Sequence, residues 1–140
     1  MAVGRMTPYL LSQFVGTPGG SSITVPQLAD IPMWFGMCFA DPFTVGDPLT
    51  VEILGDGYDR PDAVWDSYGD TGLVTLEETA FLSLPVGTLG VAIALFDADV
   101  NGNMLAAANL DPGDYIDLPD GGAWIMPAGE FFLGFDLVGI

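Results

Sequence analysis

Residues Gly90–Leu110 read GVAIALFDADVNGNMLAAANL, two apolar runs joined by a short polar stretch. Asn101-Gly102, between the runs, is a strong signal for a hairpin turn because both residue types accept positive φ. We therefore predict that Val91–Leu110 forms a β-hairpin closed at Asn101-Gly102. The first run is apolar on both faces, which predicts a central strand covered twice; one face would carry Val91, Ile93 and Leu95, and the other Ala92, Ala94 and Phe96.

The polar stretch DADVNGN also resembles the start of a calcium loop. Asp97, Asp99 and Asn101 would occupy the first three ligand positions, with Gly102 at the bend. The twelfth position, where such a loop needs a bidentate carboxylate, is Ala108, and the flanks are predicted strands rather than helices. We interpret the stretch as a solvated turn and expect no cofactor. A calcium ion bound here is the alternative, because oxygen-rich loops can recruit ligands from elsewhere.

Short β-type runs broken by Gly, Pro and Asp follow one another after Pro32, without intervening helices. This texture is typical of a β-sandwich or barrel. We predict an all-β fold, with one β-sandwich domain over residues 27–140. The predicted strands are Met33–Ala40, Leu49–Leu54, Leu73–Leu76, Ala80–Leu84, Gly90–Asp97, Asn103–Leu110, Tyr115–Leu118 and Glu130–Leu137.

The N-terminal segment carries a helix signal of its own. In TPYLLSQFVG, Thr7 is a good N-cap and Pro8 suits the first helical position. The residues after it, TPGGSSITVP, have the composition of a flexible linker. We predict that residues 1–26 form an arm with a short helix. Its apolar stripe would bind partner proteins through Leu10, Leu11, Phe14 and Val15.

Composition excludes several classes of function. The chain has 140 residues, of which 50% are hydrophobic, enough for one domain with a core. With 2 Lys+Arg against 19 Asp+Glu, its net charge of −17 repels nucleic acid and anionic lipid. We see no signal peptide and no run of about 18 apolar residues, so we expect synthesis in a cytoplasm and no membrane segment.

The chain also lacks the residues of common catalytic sites. It contains no His, which removes the usual nucleophile–base arrangements and imidazole metal sites. Its single Cys, Cys38, lies in the apolar run MWFGMCFA, where a buried hydrophobe is the expected role. We therefore predict that the protein is not an enzyme.

Two further features allow alternative interpretations. Arg60, one of two cations, is expected to pair inside the chain with Asp59 or Asp62, although it could instead bind an acidic patch on a partner. The three tryptophans could stack on sugars, but in such strands an aromatic is more often part of the core. They are Trp34, Trp65 and Trp124.

Five motifs in order cover nearly the whole chain. They are WFGMCFADP at Trp34–Pro42, GDGYDRP at Gly55–Pro61, LVTLEETAFLSLP at Leu73–Pro85, VAIALFDADVNGNMLAAANL at Val91–Leu110, and DPGDYIDLPDGGAWIMPAGEFFLGFDL at Asp111–Leu137. In this order and spacing the chain resembles a divergent group of tailed-phage virion proteins, described as tail-fibre-like, minor structural or capsid decoration proteins. It departs from the group's pattern at Met37-Cys38 and at Pro61-Asp62, where a strand would be interrupted.

The resemblance implies a non-enzymatic structural protein of a bacteriophage virion. Such a protein would be displayed on the particle exterior, as a capsid decoration or a minor capsid or tail protein. Its partners would be major capsid or tail proteins and other copies of itself, and it would reach the virion after synthesis in the host cytoplasm. One alternative is a host-recognition or glycan-binding module of a tail fibre; another is a calcium-dependent adhesive β-domain.

Overall fold

The computed structural model describes residues 2–7, 32–55, 57–67 and 72–134. These residues form strands and short 3-10 helices, so the predicted all-β fold is confirmed. The 3-10 helices are Pro48–Val51 and Pro112–Asp114. The strands are β1 (Ala2–Met6), β2 (Trp34–Cys38), β3 (Trp65–Ser67), β4 (Gly72–Thr75), β5 (Thr79–Leu84), β6 (Thr88–Gly90), β7 (Ala92–Phe96), β8 (Met104–Asn109), β9 (Ile116–Leu118), β10 (Gly122–Met126) and β11 (Phe131–Gly134).

Seven strands form one large sheet in the order β2-β7-β8-β1-β11-β4-β3. Strand β1 changes partner along its length. Its first residues, Ala2–Gly4, run parallel to β11, whereas Arg5 and Met6 pair antiparallel with β8. β1 therefore joins the β2-β7-β8 half of the sheet to the β11-β4-β3 half.

The two ends of this sheet are joined by backbone hydrogen bonds. Just before β3, the amide of Ala63 donates to the carbonyl of Met33 at 2.8 Å, and the amide of Phe35 donates to the carbonyl of Pro61 at 2.9 Å. Proline has a carbonyl but no N–H, and only its carbonyl is used at this point. Pro61-Asp62, where the chain departs from the pattern of the group it resembles, thus lies where the curled sheet closes on β2.

An inner core fills the concave side of the sheet. Three aromatic rings from distant strands meet there, with centroids 5.0 to 5.9 Å apart: Phe35, Trp65 and Phe131. Two short ribbons, β5 with β10 and β6 with β9, contribute further buried side chains to the same core. These are Phe81, Leu84, Ile116 and Met126.

An outer core covers the opposite face of β2, β7 and β8. It contains the second set of β7 residues, Ala92, Ala94 and Phe96, together with Cys38 and Met104. The chain between β2 and the first 3-10 helix packs over them. All five residues of β7 are buried, which confirms the prediction of a strand covered on both faces.

Two predictions need correction. The start of predicted strand Leu49–Leu54 is a 3-10 helix, because Asp47 caps the Leu49 amide and Pro48 fixes the first turn. Pairing with β2 begins only at Glu52. The first residues of the predicted arm belong to the sheet as β1, and the Thr7 hydroxyl lies 2.9 Å from the carbonyls of Met104 and Leu105. The rest of the predicted helix and the boundary at residue 26 lie outside the described residues.

Candidate functional site

The candidate site lies beside β2, on the edge that does not pair with β7. Residues 51–63 pair antiparallel with β2 near both of their ends, at Glu52 and Asp62. The described residues of 54–60, between these two points, do not pair with β2, and we call them the excursion. The amides of Phe39 and Phe35 still reach backbone carbonyls, those of Val51 and Pro61. The Met37 amide, between them, instead donates to the Tyr58 hydroxyl at 2.9 Å. A side chain therefore supplies the acceptor that the absent strand would have provided.

This excursion places Arg60 against Glu52 in a buried ion pair. Nε of Arg60 lies 2.8 Å from Oε2 of Glu52, and Nη2 lies 2.7 Å from Oε1, the two-point geometry that arginine favours with carboxylates. The Tyr58 hydroxyl donates to Oε2 at 3.0 Å. The prediction of an internal pair is confirmed, but the predicted partners, Asp59 and Asp62, are wrong. Arg60 is only 8% exposed, which favours the internal pair over the alternative in which it binds an acidic patch on a partner.

The remaining contacts of Arg60 are with the loop between β7 and β8. Nη1 donates to the carbonyls of Ala98 at 2.7 Å and Asn101 at 2.8 Å. The guanidinium carbon lies 3.7 Å from the centroid of the Phe96 ring, within the range of a cation–π contact. The loop that resembles a calcium site thus binds a cation of its own chain, through backbone carbonyls.

The carboxylate of Asp97 has a different role in the same loop. Its Oδ1 accepts from the Asn103 amide at 2.7 Å, and its Oδ2 accepts from the Asn103 side chain at 3.0 Å. Asn101 and Gly102 have φ of 58° and 74°, as the hairpin prediction requires. The hairpin is confirmed, although residues 98–102 form a longer loop than a two-residue turn.

The structure does not assemble the predicted metal ligands into a carboxylate cluster. Asp99 is exposed, and Asp97 is engaged by Asn103. No group of three or more His, Cys, Asp or Glu side chains that could hold a metal ion occurs in the described part of the chain. Calcium at Asp97, Asp99 and Asn101 would have to draw on other ligands.

Gly36 gives the Glu52 carboxylate room to lie over β2. A Cβ at this position would be 2.6 Å from Oε2 of Glu52 and 2.7 Å from Cε2 of Phe96. Both distances are well inside van der Waals contact, so any side chain would displace the ion pair or the ring. A glycine inside the apolar run WFGMC was the available sequence signal, because such a glycine often marks a close approach.

The ionisable groups beside the pair are held in their neutral forms. Burial, followed by the charge of Glu52, raises the pKa of the Cys38 thiol to about 12, with Arg60 acting in the opposite direction. Burial and the charge of Glu52 also raise the pKa of Tyr58 well above its usual range. A thiolate or phenolate is therefore disfavoured here at neutral pH.

A groove of about 350 Å³ lies between the excursion and β5. Gly57, Asp59, Pro61 and Asp62 line one side of it. Ala80, Leu82 and Ser83 of β5 line the other, and Arg60 also reaches it. Sequence reasoning did not predict this groove, because its two sides are about 20 residues apart in the chain.

The other predicted binding residues are placed as follows. The stripe Leu10, Leu11, Phe14 and Val15 lies outside the described residues. Trp65 is buried in the inner core, and its ring contacts Phe35 and Phe131, so it cannot stack on a sugar. Trp124 is partly buried with its ring centroid 5.9 Å from that of Phe81, and Trp34 is also partly buried.

A scan against protein-family models finds no match, and searches of curated proteins and of solved structures find none either. Among the described residues, no helix has the length and apolar character needed to cross a membrane. The resemblance to phage virion proteins thus rests on the order and spacing of the five motifs.

Proposed function

We propose that the chain is a non-enzymatic structural protein of a bacteriophage virion, displayed on the particle exterior and held there by protein–protein contacts. The observation that carries the proposal is the convergence of three motifs on one buried cluster. WFGMCFADP supplies Gly36 and Met37, GDGYDRP supplies Tyr58 and Arg60, and the hairpin motif supplies the carbonyls that bind Arg60.

This convergence supports a structural role for the motifs. Arg60 donates four hydrogen bonds, and every acceptor is a group of the same chain. Such a cluster fixes the excursion and the hairpin relative to β2, and its charged side chains are engaged with one another and with the backbone. The motifs therefore specify how the domain packs, as expected of signatures that define a building block of an assembly.

The charge of the chain supports a position on the outside of the particle. At −17, it would be repelled by packaged DNA on an inner surface, whereas an outer surface in contact with solvent tolerates such charge. The glycan-binding alternative receives less support, since Trp65 is buried. The calcium-adhesive alternative also receives less, since Arg60 binds two carbonyls of the candidate loop.

The test is the protein content of purified particles. Virions of the phage that encodes this sequence should contain the chain in a fixed copy number, and mild protease treatment of intact particles should cleave it. Cryo-electron microscopy of the same particles would locate it on the capsid or tail. Particles that lack the chain, or that hold it only inside the shell, would refute the proposal.

A matched pair of variants tests the proposed attachment through the N-terminal stripe. Changing Leu10, Leu11, Phe14 and Val15 to serine leaves β1 intact, and we expect a folded protein that incorporates poorly into particles. The control changes four exposed apolar residues elsewhere to serine: Val86, Leu89, Val100 and Tyr115. Equal incorporation of both variants would remove the stripe from the attachment surface.

A further inference from the structure

The loop between β7 and β8 contains the chain's only Asn-Gly pair, Asn101-Gly102. Both residues are exposed and have positive φ. The loop requires the glycine, because a Cβ at residue 102 would be 2.6 Å from Oδ1 of Asp97 and 2.7 Å from Cβ of Ala98. A glycine also leaves its own backbone nitrogen unshielded, so that nitrogen can approach the side chain of the preceding asparagine. The fold thus places an asparagine side chain beside the least hindered backbone nucleophile that a protein offers.

The two groups that would react are not held by hydrogen bonds. Among the residues that the structure describes, none forms a hydrogen bond with the Asn101 side chain or with the Gly102 N–H. The chain's other two asparagines are held. The Asn103 side chain donates to Oδ2 of Asp97, and Asn109 is the last residue of β8, where it pairs with β7. Asn101 is therefore the asparagine whose side chain and following amide are both available to react.

Arg60 contacts the carbonyl that joins the pair. Its Nη1 lies 2.8 Å from the main-chain oxygen of Asn101. When the Gly102 N–H loses its proton, the negative charge is shared with this oxygen, so a guanidinium bound to the oxygen stabilises the attacking anion. The Asp97 carboxylate near Gly102 opposes this effect, but its two oxygens accept hydrogen bonds from Asn103, which offset part of its charge. The charge in direct contact with the reacting amide is thus the cation.

We propose that Asn101 is a self-modification site that yields isoaspartate. The Gly102 nitrogen attacks Cγ of Asn101, the Gly102 proton and the side-chain NH2 leave as ammonia, and a five-membered succinimide forms. Water then adds to one of the two ring carbonyls. Addition to the main-chain carbonyl is favoured, because its oxyanion forms on the oxygen that Arg60 binds. The bond from that carbon to the Gly102 nitrogen breaks, the nitrogen recovers a proton from the water, and the carbon becomes a carboxylate. The main chain then continues through Cβ and Cγ.

The product has an ion pair where the asparagine had a neutral hydrogen bond. The new carboxylate contains the oxygen that Nη1 of Arg60 already contacts, and it adds one negative charge to the net −17 of the chain. The main chain of the loop becomes longer by one methylene. The reaction needs only water, and it is independent of the virion role.

The experiment follows the full-length chain during long incubation at neutral pH, folded in buffer and unfolded in guanidinium chloride. Peptide mass spectrometry measures the converted fraction at each asparagine, and electron-transfer fragmentation distinguishes isoaspartate from aspartate. We expect Asn101 to convert in the folded chain while Asn103 and Asn109 stay unchanged. Because Arg60 is in place only in the folded chain, the ratio of isoaspartate to aspartate should be at least about fivefold higher there than in the unfolded chain.

Matched variants separate the steps. Asn101→Gln, whose longer side chain would have to close a six-membered ring, should abolish conversion, and Asn109→Gln should leave it unchanged. Arg60→Met should lower the ratio of isoaspartate to aspartate to its value in the unfolded chain. The comparison of the folded with the unfolded parent chain does not depend on whether Arg60→Met folds.

Two results would overturn the inference. If Asn101 converts in guanidinium chloride but not in the folded chain, the fold protects this asparagine. If the ratio of isoaspartate to aspartate is the same in both states, Arg60 does not direct the water.

Discussion

Arg60 and Arg5, the only cations in the chain, are in opposite environments. The Arg60 side chain is nearly inaccessible, with Glu52, Tyr58, Phe96 and two carbonyls around it. Arg5 is exposed and rests on the ring of Phe43, with 4.5 Å between its guanidinium carbon and the ring centroid. Burying a charge is costly unless it is paired and hydrogen-bonded. Loss of the buried Arg60 should therefore lower the free energy of unfolding much more than loss of the exposed Arg5.

We predict that Arg60→Met lowers the free energy of unfolding by about 3–5 kcal/mol, because the Glu52 carboxylate would remain buried without its counter-ion. Arg5→Met is the matched control and should cost about 1 kcal/mol or less. Urea unfolding measures both values. Adding Glu52→Gln to Arg60→Met should recover part of the loss. Equal effects of the two arginine variants would contradict this account of the cluster.

Cys38 and Tyr58 should make stability depend on alkaline pH. The folded state raises the pKa of Cys38 from its ordinary value of 9.0 to about 12, so the unfolded chain loses its proton first. Stabilisation from this group is complete below pH 9 and is lost as the pH rises toward 12. Tyr58 acts in the same direction and adds to the loss.

The predicted result is a fall in the free energy of unfolding between pH 9 and pH 12 that is smaller in Cys38→Ala than in the parent chain. Urea unfolding at a series of pH values measures it. In addition, the native thiol should react with a disulfide reagent only as fast as the chain unfolds. A parent and variant with the same pH profile would show that Cys38 does not contribute.

The partner of Arg60 could not be deduced from the sequence. Asp59 and Asp62 are its neighbours in the chain, but both are exposed in the structure. Glu52 is selected because it pairs with Cys38 on β2 and its carboxylate lies over Gly36. That arrangement depends on where the excursion leaves its pairing with β2, and the hydrophobic periodicity of the sequence does not indicate this point.

At the scale of elements, the long apolar runs were predictable, whereas several of the short or irregular strands were not. The β7–β8 hairpin has two strong runs and a turn dipeptide, and β11 alternates between buried Phe131 and Leu133 and the less buried Phe132. By contrast, β3 and β6 have three residues each, and β10 begins at a glycine with a register shift. β1 includes a glycine and an arginine, and pairs with two strands in turn.

The corrected role of the first residues gives an element-scale prediction. Deleting Ala2–Met6 removes the strand that joins the two halves of the sheet, so we expect the chain to lose its cooperative unfolding transition. Deleting Thr17–Ser21 from the predicted linker removes the same number of residues and should leave a folded protein. Circular dichroism and thermal melts compare them. A normal transition after loss of Ala2–Met6 would show that β1 is dispensable.

The Asp97 loop gives a second element-scale prediction. Because its carbonyls bind Arg60 and its first carboxylate binds Asn103, calcium should raise the melting temperature no more than magnesium does at the same concentration. Melts in EDTA, millimolar magnesium and millimolar calcium make the comparison. A shift specific to calcium, lost in Asp99→Asn, would favour the calcium-dependent adhesive domain instead.

At the scale of the whole molecule, the dominant feature is the excess of acidic over basic side chains. The excess of 17 negative charges is spread over 140 residues, and one of the two cations is buried. In a protein with many surface ion pairs, salt weakens attractions; in this chain it should mainly weaken repulsion. The buried Arg60–Glu52 pair is screened much less, so it should contribute little to the salt dependence.

We therefore predict that the melting temperature rises between about 0.01 M and 0.3 M sodium chloride, as the screening length falls from about 30 Å to well under 10 Å. The control variant carries Asp111→Asn, Asp114→Asn and Asp117→Asn, three exposed carboxylates whose removal takes the net charge from −17 to −14. It should start higher at low salt and rise less steeply, because less repulsion remains to be screened. Differential scanning calorimetry of both proteins measures the two slopes. A melting temperature that falls with salt, or identical slopes for the two proteins, would mean that specific ion pairs and not the net charge set the stability of this domain.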